Sequence, residues 1–330
     1  MTSADPVAGP PPTVDAAVVL VTHDTCEEVL AALATLPRGV QRIVVDAGSR
    51  DGTAAAVRAA APDVRVLALA NTGFARAANA GVRATSASTV VVANADVRFM
   101  PGAVEHLAAV LADDRQLGAV GPRVSYPDGR LQASARRRPD LGTAIGHAVL
   151  GRLLSDNRWT RRYHHRDADP TRPRDVDWLS GCAVALRREA VDAVGGFDPG
   201  YFLYVEDVDL ADRLRAAGWR LRYDPDVEVV HRVGASTGPL RGRALMWHAR
   251  SLHRYVVGRL TGPARLLRGL VPVVLAGWVA VTWVLERFGP AERSTTGEPT
   301  HSELAHHEHL PSAGVARQTS EMQEDAHDRP

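Results

Sequence analysis

Lysine is missing from this 330-residue chain: all 39 basic residues are arginine. That absence excludes a Schiff-base enzyme and a Walker A phosphate loop, both of which need a lysine amine. It also makes a raw arginine count a weak sign of phosphate binding. No two glycines stand two positions apart, so the Gly-x-Gly-x-x-Gly dinucleotide fingerprint is absent too. Cysteine is scarce. Cys26 and Cys182 are too few and too far apart for a zinc cage, and both are expected to be packing residues. There is no excess of either charge: the formal net charge is +1, which argues against a protein that coats polyanions, and no nucleic-acid partner is expected. The first dozen residues, with Asp5 and Pro10 to Pro12, lack a basic start and an apolar run, so no cleavable secretory signal is expected and the default compartment is cytoplasmic.

What is present suffices for a real core, with 45% hydrophobic and 23% charged residues. From Ala16 onward, short β-branched runs alternate with Ala/Leu-rich stretches of helical period, the signature of βαβ units. Strands are expected at Ala17 to Val21, Arg42 to Val45, Val64 to Leu69, Thr89 to Ala93 and Gly118 to Val124. Helices are expected at Glu27 to Leu36, Thr53 to Ala61, Ala75 to Ala84 and Ala103 to Leu111. The fold class is α/β, a mainly parallel central sheet flanked by helices.

Ligands of open parallel sheets bind beyond the carboxyl ends of the strands. Those ends are polar here: Thr22-His23-Asp24, Asp46-Ala47-Gly48-Ser49, Asn71-Thr72-Gly73 and Asn94-Ala95-Asp96. Turn and cap chemistry alone would explain many such residues, but four successive polar ends favour a site. Asp46 is suited to a base or ribose. In the Asn71–Gly81 stretch, Gly73 permits close backbone approach, while Asn71, Arg76 and Asn79 offer polar groups near a helix start; the bland alternative is a helix entered through Gly73 with Asn79 as a satisfied polar group. Asn94 and Asp96 are oxygen-bearing ligands of the kind Mg²⁺ or Mn²⁺ takes on a diphosphate, unless Asp96 caps the following helix.

The strongest element is GGFDPGYFLYVEDVDLADRLRAAGWRLRYDPDVEVVH, Gly195 to His231. Glu206, Asp207 and Asp209 open an amphipathic helix, where the macrodipole favours negative charge. Capping needs only one acid. Three acids after Tyr201, Phe202 and Tyr204 resemble a base beside a sugar-binding platform.

The ordered series Asp46, Asn94-x-Asp96, Trp178-Leu179-Ser180-Gly181, the GGFDPGYFLYVEDVDL segment and His231 resembles family 2 glycosyltransferases of the GT-A fold over about residues 15 to 240. The EDVDL form, His147 to Gly151 and Asn157 to Thr160 resemble, more narrowly, actinobacterial rhamnosyltransferases that act on decaprenyl-diphospho-N-acetylglucosamine. The resemblance implies an inverting transfer from a nucleotide-sugar donor, dTDP-rhamnose, to a polyprenyl-diphosphate-sugar acceptor, with Mg²⁺ or Mn²⁺ as cofactor. Thr22, Asp46, Asn71, Gly73, Arg76, Asn94 and Asp96 would hold the donor nucleotide. Asp96 and His231 would hold the metal, and Asp207 would be the base with Glu206 and Asp209 as supporting acids. Trp178, Ser180, Gly181 and Tyr204 would line the acceptor side. Asn94 departs from the Asp-x-Asp of the broader family and removes one negative charge. Two other readings compete: a transferase of a UDP-sugar such as galactofuranose or N-acetylglucosamine, and a catalytically silent scaffold that binds a nucleotide or a membrane partner.

Outside that core, residues 1–14 and 289–330 are expected to be disordered, the latter a Glu-, His-, Ser- and Pro-rich tail in which His306, His307 and His309 could bind a metal weakly, although a polar low-complexity tract is the commoner explanation. The domain itself divides into a nucleotide half, 15–130, and an acceptor half, 131–240. The acceptor half has a basic segment from Arg136 to Arg174 that includes Arg158, Arg161 and Arg162, with Trp159 and Tyr163 among the arginines. From Arg232 to Arg268 there are eight arginines and no acid, with apolar residues at helical spacing, followed by 17 uncharged residues, Gly269 to Leu285. An interfacial helix followed by a membrane-surface or re-entrant element is expected over 241–288, on the cytoplasmic face of the plasma membrane. A buried helix pair is the alternative, and a homo-oligomer is left open.

Overall fold

Strand β1 (Ala16–Thr22, AAVVLVT) is buried along its whole length, as the centre of a sheet covered on both faces must be. The computed structural model describes residues 14–137, 169–232 and 241–288. Around β1, strands β2 (Gln41–Ala47), β3 (Arg65–Leu69) and β4 (Thr89–Asn94) all run parallel. The helices that connect them are α1 (Cys26–Thr35), α2 (Thr53–Ala60) and α3 (Phe74–Arg83). Each of these elements lies within two residues of its expected place.

The sheet continues with β5 (Val97–Phe99), β6 (Leu117–Ser125), β8 (Arg174–Asp175), β10 (Ala183–Arg187) and β11 (Arg220–His231). Its order is β3-β2-β1-β4-β10-β6-β11-β5, with β8 also paired to β11. The expectation of a mainly parallel sheet needs one amendment. β10 starts beside the carboxyl end of β4, with Ala183 opposite Ala93, and so runs antiparallel to both β4 and β6. β5 and β8 also oppose β11. A separate two-stranded ribbon pairs β7 (Ala135–Arg136) with β9 (Trp178–Leu179).

Two apolar layers sandwich the sheet. One joins β1 and β4 to α1, α2 and α4 (Ala103–Asp113) through Val29, Leu33, Val57 and Leu107. The other joins the opposite face to α3, α5 (Arg188–Ala193) and α6 (Glu206–Ala216) through Ala78, Val191, Leu210 and Leu214. α3 lies so close to the sheet that a Cβ at Gly81 would come within 2.2 Å of Val19 Cγ1.

The C-terminal part is helical: α7 (Arg241–Arg259), a 3₁₀ turn (Gly262–Gly269) and α8 (Val271–Phe288). α7 is more than the interfacial helix expected from its arginines. Ser251 and Ala249 are buried, and Arg254 pairs with Asp198 at 2.8 Å and Arg259 with Asp212 at 2.7 Å, so its basic side chains clamp the domain. Among the described residues no single helix is long and apolar enough to cross a membrane. The 3₁₀ turn and Val271–Val284 pass that test only together, with a 49° bend between them. Pro272 sits in the first turn of α8, where its missing N–H has no helical partner to lose.

Candidate active site

The carboxyl ends of β1, β2, β4 and β11 place the polar side chains. Thr22 and Asp46 are register neighbours on β1 and β2, and both are buried. The Thr22 hydroxyl is 2.7 Å from that of Thr25, and Asp46 Oδ1 accepts from the Ser49 N–H at 2.9 Å. The two loops are tied together. Asp24 N–H donates to Ser49 Oγ, and Asp51 accepts from the backbone N–H of Cys26 and of Thr53, capping the starts of α1 and α2. Burial opposes the Asp51 charge, but the bonds from Thr53 and Cys26 outweigh it and hold its carboxyl below the usual range. At the end of β3, Asn71 Nδ2 lies 3.2 Å from His23 Nε2, while its Oδ1 accepts from the Gly73 N–H.

Gly73 makes its close approach to protein. A Cβ there would lie 2.4 Å from the Phe202 carbonyl oxygen, its φ is +97°, and the next residue, Phe74, donates its N–H to that same oxygen at 2.7 Å. Its requirement for glycine therefore comes from the 198–205 loop, which the sequence alone gives no means of placing. Asn79 is likewise spent on structure, bridging the N–H and C=O of Phe197 at 2.8 and 2.7 Å. Arg76 is exposed on the same helix.

Asp96 and His231 come together 135 positions apart in sequence, with His231 Nε2 3.2 Å from Asp96 Oδ1 and 3.4 Å from Asn94 Nδ2. Asp96 is not a helix cap, for α4 begins after Gly102 with no side-chain cap. On the far side of the ring, Nδ1 meets Gln132 Oε1 at 2.9 Å. With Gln132 accepting from Nδ1–H, the Nε2 edge is turned toward the two strand-end side chains. Burial disfavours a charged His231, but the Asp96 carboxylate and Cys182 outweigh burial and push its pKa up to about 10. A buried imidazole–carboxylate pair with that preference for positive charge accepts either a proton or a metal ion. Cys182, expected only to pack, touches His231 as well.

Asp207 occupies the first turn of α6. Its Oδ2 accepts from the Gly181 N–H at 2.9 Å and its Oδ1 from the Val208 N–H at 2.8 Å. Burial raises its pKa against the pull of those two N–H groups and of Arg136. Glu206 is buried, and burial together with the Asp207 carboxylate raises its pKa as well. The short Ser180-Gly181-Cys182 segment joins the two halves of the site, with Gly181 holding Asp207 and Cys182 touching His231. The Cys182 carbonyl also accepts from the Asn94 N–H at 2.9 Å. The Asp96–His231 pair is thus linked to Asp207 through the adjacent residues Gly181 and Cys182.

Other residues expected at the site also make contacts within the fold. Asp209 is committed elsewhere: its carboxylate takes Arg213 Nε at 2.7 Å, with Arg259 and the Tyr201 hydroxyl each at 3.4 Å. These contacts tie Asp209 to α6 and α7. The Tyr204 ring lies 5.2 Å from that of His248 on α7, tilted by 46°. Trp178 is buried in the ribbon with the Arg136 guanidinium 5.0 Å above its ring, and the Ser180 N–H donates to the Ser134 carbonyl. The arginines from Arg138 to Arg166, the aromatic pair Trp159 and Tyr163, the segments His147 to Gly151 and Asn157 to Thr160, and both chain ends lie outside the described residues. A further group, His106, Asp224 and Asp226, has ligand atoms within 4.8 Å of one another. It lies on the α4 side of β11, at least five positions before His231, and shares no residue with the Asp96–His231 pair.

This architecture, a sandwiched α/β sheet with a carboxylate–histidine pair and a held carboxylate at its strand ends, is that of a GT-A glycosyltransferase. The Glycosyl transferase family 2 model matches residues 18–195, more than half of the chain. The chain is 38% identical over 261 residues to an N-acetylglucosaminyl-diphospho-decaprenol L-rhamnosyltransferase of Mycobacterium tuberculosis, covering 74% of this chain and 85% of that protein. It is 40% identical over 81 residues to the rhamnosyltransferase WbbL of Escherichia coli, 24% of this chain and 31% of that one. Among solved structures it is similar to the mannosyltransferase PcManGT of Pyrobaculum calidifontis in complex with GDP-Man and Mn²⁺, at TM-score 0.50 and 22% identity over 84% of this chain and 76% of that chain. The protein belongs to glycosyltransferase family 2.

Proposed function

We propose that the protein moves L-rhamnose from dTDP-rhamnose onto a polyprenyl-diphosphate-linked N-acetylglucosamine, with inversion at the anomeric carbon. The observation that carries the reading is the Asp207 carboxylate, held by the Gly181 N–H next to Cys182, which touches the His231 of the Asp96–His231 pair. The choice of sugar and acceptor is supported by the 38% identity to the mycobacterial rhamnosyltransferase.

Asp207 takes the proton of the acceptor hydroxyl as that oxygen bonds to the anomeric carbon, and the bond from that carbon to the diphosphate breaks to release the nucleoside diphosphate. Asp46 and Asn71 hold the nucleotide at the ends of β2 and β3. Asp96 Oδ1 and His231 Nε2 form a nitrogen-and-oxygen donor set that fits Mn²⁺ or Mg²⁺, with Asn94 beside them. When bound, the cation would stabilise negative charge on the leaving diphosphate.

The acceptor is a membrane lipid, and the C-terminal helices suit a membrane surface. Leu266 is 90% exposed and Val273 66%, with Leu270, Val274 and Trp283 also exposed and Arg265 and Arg268 beside them. We read these helices as the membrane face of a peripheral or monotopic enzyme on the cytoplasmic leaflet, a reading supported by those exposed apolar side chains and the arginines beside them. Incubating the purified protein with lipid-diphosphate-GlcNAc and a panel of dTDP- and UDP-sugars, followed by mass analysis of the lipid, tests the reading. A deoxyhexose added from dTDP-rhamnose is expected. A hexose or HexNAc added from a UDP-sugar would overturn the donor, and no lipid product from any donor would overturn the activity.

A further inference from the structure

Two consecutive non-glycine residues directly before the acidic pair lie in the left-handed region: Tyr204 at φ 67° and Val205 at φ 70°. Valine is among the residues least tolerant of that conformation, because its branched Cβ crowds the backbone. Such a turn persists only where its surroundings over-determine it. Here the turn fixes the direction in which α6 starts, and hence where Asp207 points.

The surroundings are supplied from two sides. On the donor side, the Phe74 N–H at the start of α3 bonds to the Phe202 carbonyl. On the other side is α7. The Ser251 hydroxyl donates to the Leu203 carbonyl at 2.9 Å from a buried position. The Trp247 ring lies 4.7 Å from that of Phe202, and the His248 ring 5.2 Å from that of Tyr204. Three successive loop residues, 202 to 204, are therefore each engaged by a different α7 side chain. His248 is in turn backed by Trp278 of α8, ring centroids 5.5 Å apart. Nothing in the sequence marks this arrangement, because α7 reads there as a basic amphipathic helix.

We propose that α7 is a brace for the catalytic loop, with Trp247, His248 and Ser251 as positioning residues that hold the Tyr204–Val205 turn so that Asp207 faces the acceptor hydroxyl. The inference rests on the reading of Asp207 as the base. It adds that the C-terminal helices, besides offering a membrane face, complete the active site.

The test uses the full-length protein with Ser251→Ala, His248→Ala and the conservative Ser251→Thr, with Met246→Ala, on an exposed position of the same helix, as control. Calorimetric titration with dTDP, or with UDP where the wild type prefers it, counts binding-competent molecules, and turnover is expressed per nucleotide-binding site so that lost folding does not imitate lost positioning. Ser251→Ala and His248→Ala are expected to lower kcat per site by about ten- to a hundredfold, with the nucleotide dissociation constant and donor KM within about twofold of wild type. Ser251→Thr should recover most of the loss, and Met246→Ala should show none. Unchanged kcat per site, or nucleotide affinity that falls in step with kcat, would overturn the brace. Asp207→Asn run in parallel separates the two claims: if it keeps full turnover, the base assignment fails and the brace with it. If Asp207→Asn is inactive while Ser251→Ala and His248→Ala are fully active, the brace alone fails.

Discussion

Gln132 has no local motif around it, yet its Oε1 is 2.9 Å from His231 Nδ1 and so orients the Nε2 edge, the edge proposed to take a cation. Replacing it with leucine keeps approximate volume and removes the acceptor. His231 is only 5% exposed, so the orphaned Nδ1–H finds little water. An unsatisfied buried donor costs about 1–3 kcal/mol. At about 1.4 kcal/mol per tenfold change, that corresponds to between roughly five- and 150-fold, overlapping the about 10- to 100-fold usual for removing an outer partner of a metal-bound histidine. Mn²⁺ titration followed by electron paramagnetic resonance, in the presence of saturating nucleoside diphosphate, reads this directly. Gln132→Leu should weaken Mn²⁺ binding by about one to two orders of magnitude, and Gln132→Glu, which keeps an acceptor oxygen and adds negative charge, should restore it. A leucine variant within about twofold of wild type, or a glutamate variant as weak as leucine, would refute the reasoning.

Other predictions concern the loop and the acids. Gly73→Ala puts a methyl against the Phe202 carbonyl at a φ of +97° and should destabilise the protein by at least about 1–3 kcal/mol in denaturant unfolding; a change below about 0.5 kcal/mol would contradict the close approach. Glu206 has its folded pKa raised by burial and by Asp207, so its contribution to stability declines as pH rises from its unfolded value through the raised one. Glu206→Gln should therefore gain thermal stability relative to wild type as pH increases across that window, and a gain that shrinks with pH would count against it. Asp207 is also raised by burial, and a base must be ionised to act. The acid limb of kcat/KM should therefore lie above the ordinary carboxylate value of 3.8, with activity lost as pH falls through it; a limb at or below 3.8 would be inconsistent.

The parts of the fold that could be read from the sequence are those governed by local pattern. AAVVLVT and TVVVAN are near-continuous apolar runs, as strands buried on both faces require, and they form β1 and β4 as expected. The antiparallel entry of β10 depends on where the chain returns to the sheet, which no local period encodes. The same division holds at the site. Asp46, Asn94, Asp96, Asp207 and His231 stand at strand or helix ends and belong to a recognisable series. Gln132 and Cys182 acquire their meaning from a histidine 99 and 49 positions away, and Gly73 from a carbonyl 129 positions away. Asp209 shares a motif with Asp207, but two positions further along the helix it meets Arg213 and Arg259 instead.

The proposal that Asp207 deprotonates the acceptor while other residues hold the nucleotide and the cation is tested most directly by the turnover of Asp207→Asn on lipid-diphosphate-GlcNAc alongside its nucleotide and Mn²⁺ affinities. The account predicts a loss of about 10²- to 10⁴-fold in kcat with both affinities near wild type. A variant that transfers sugar at an undiminished rate would contradict it.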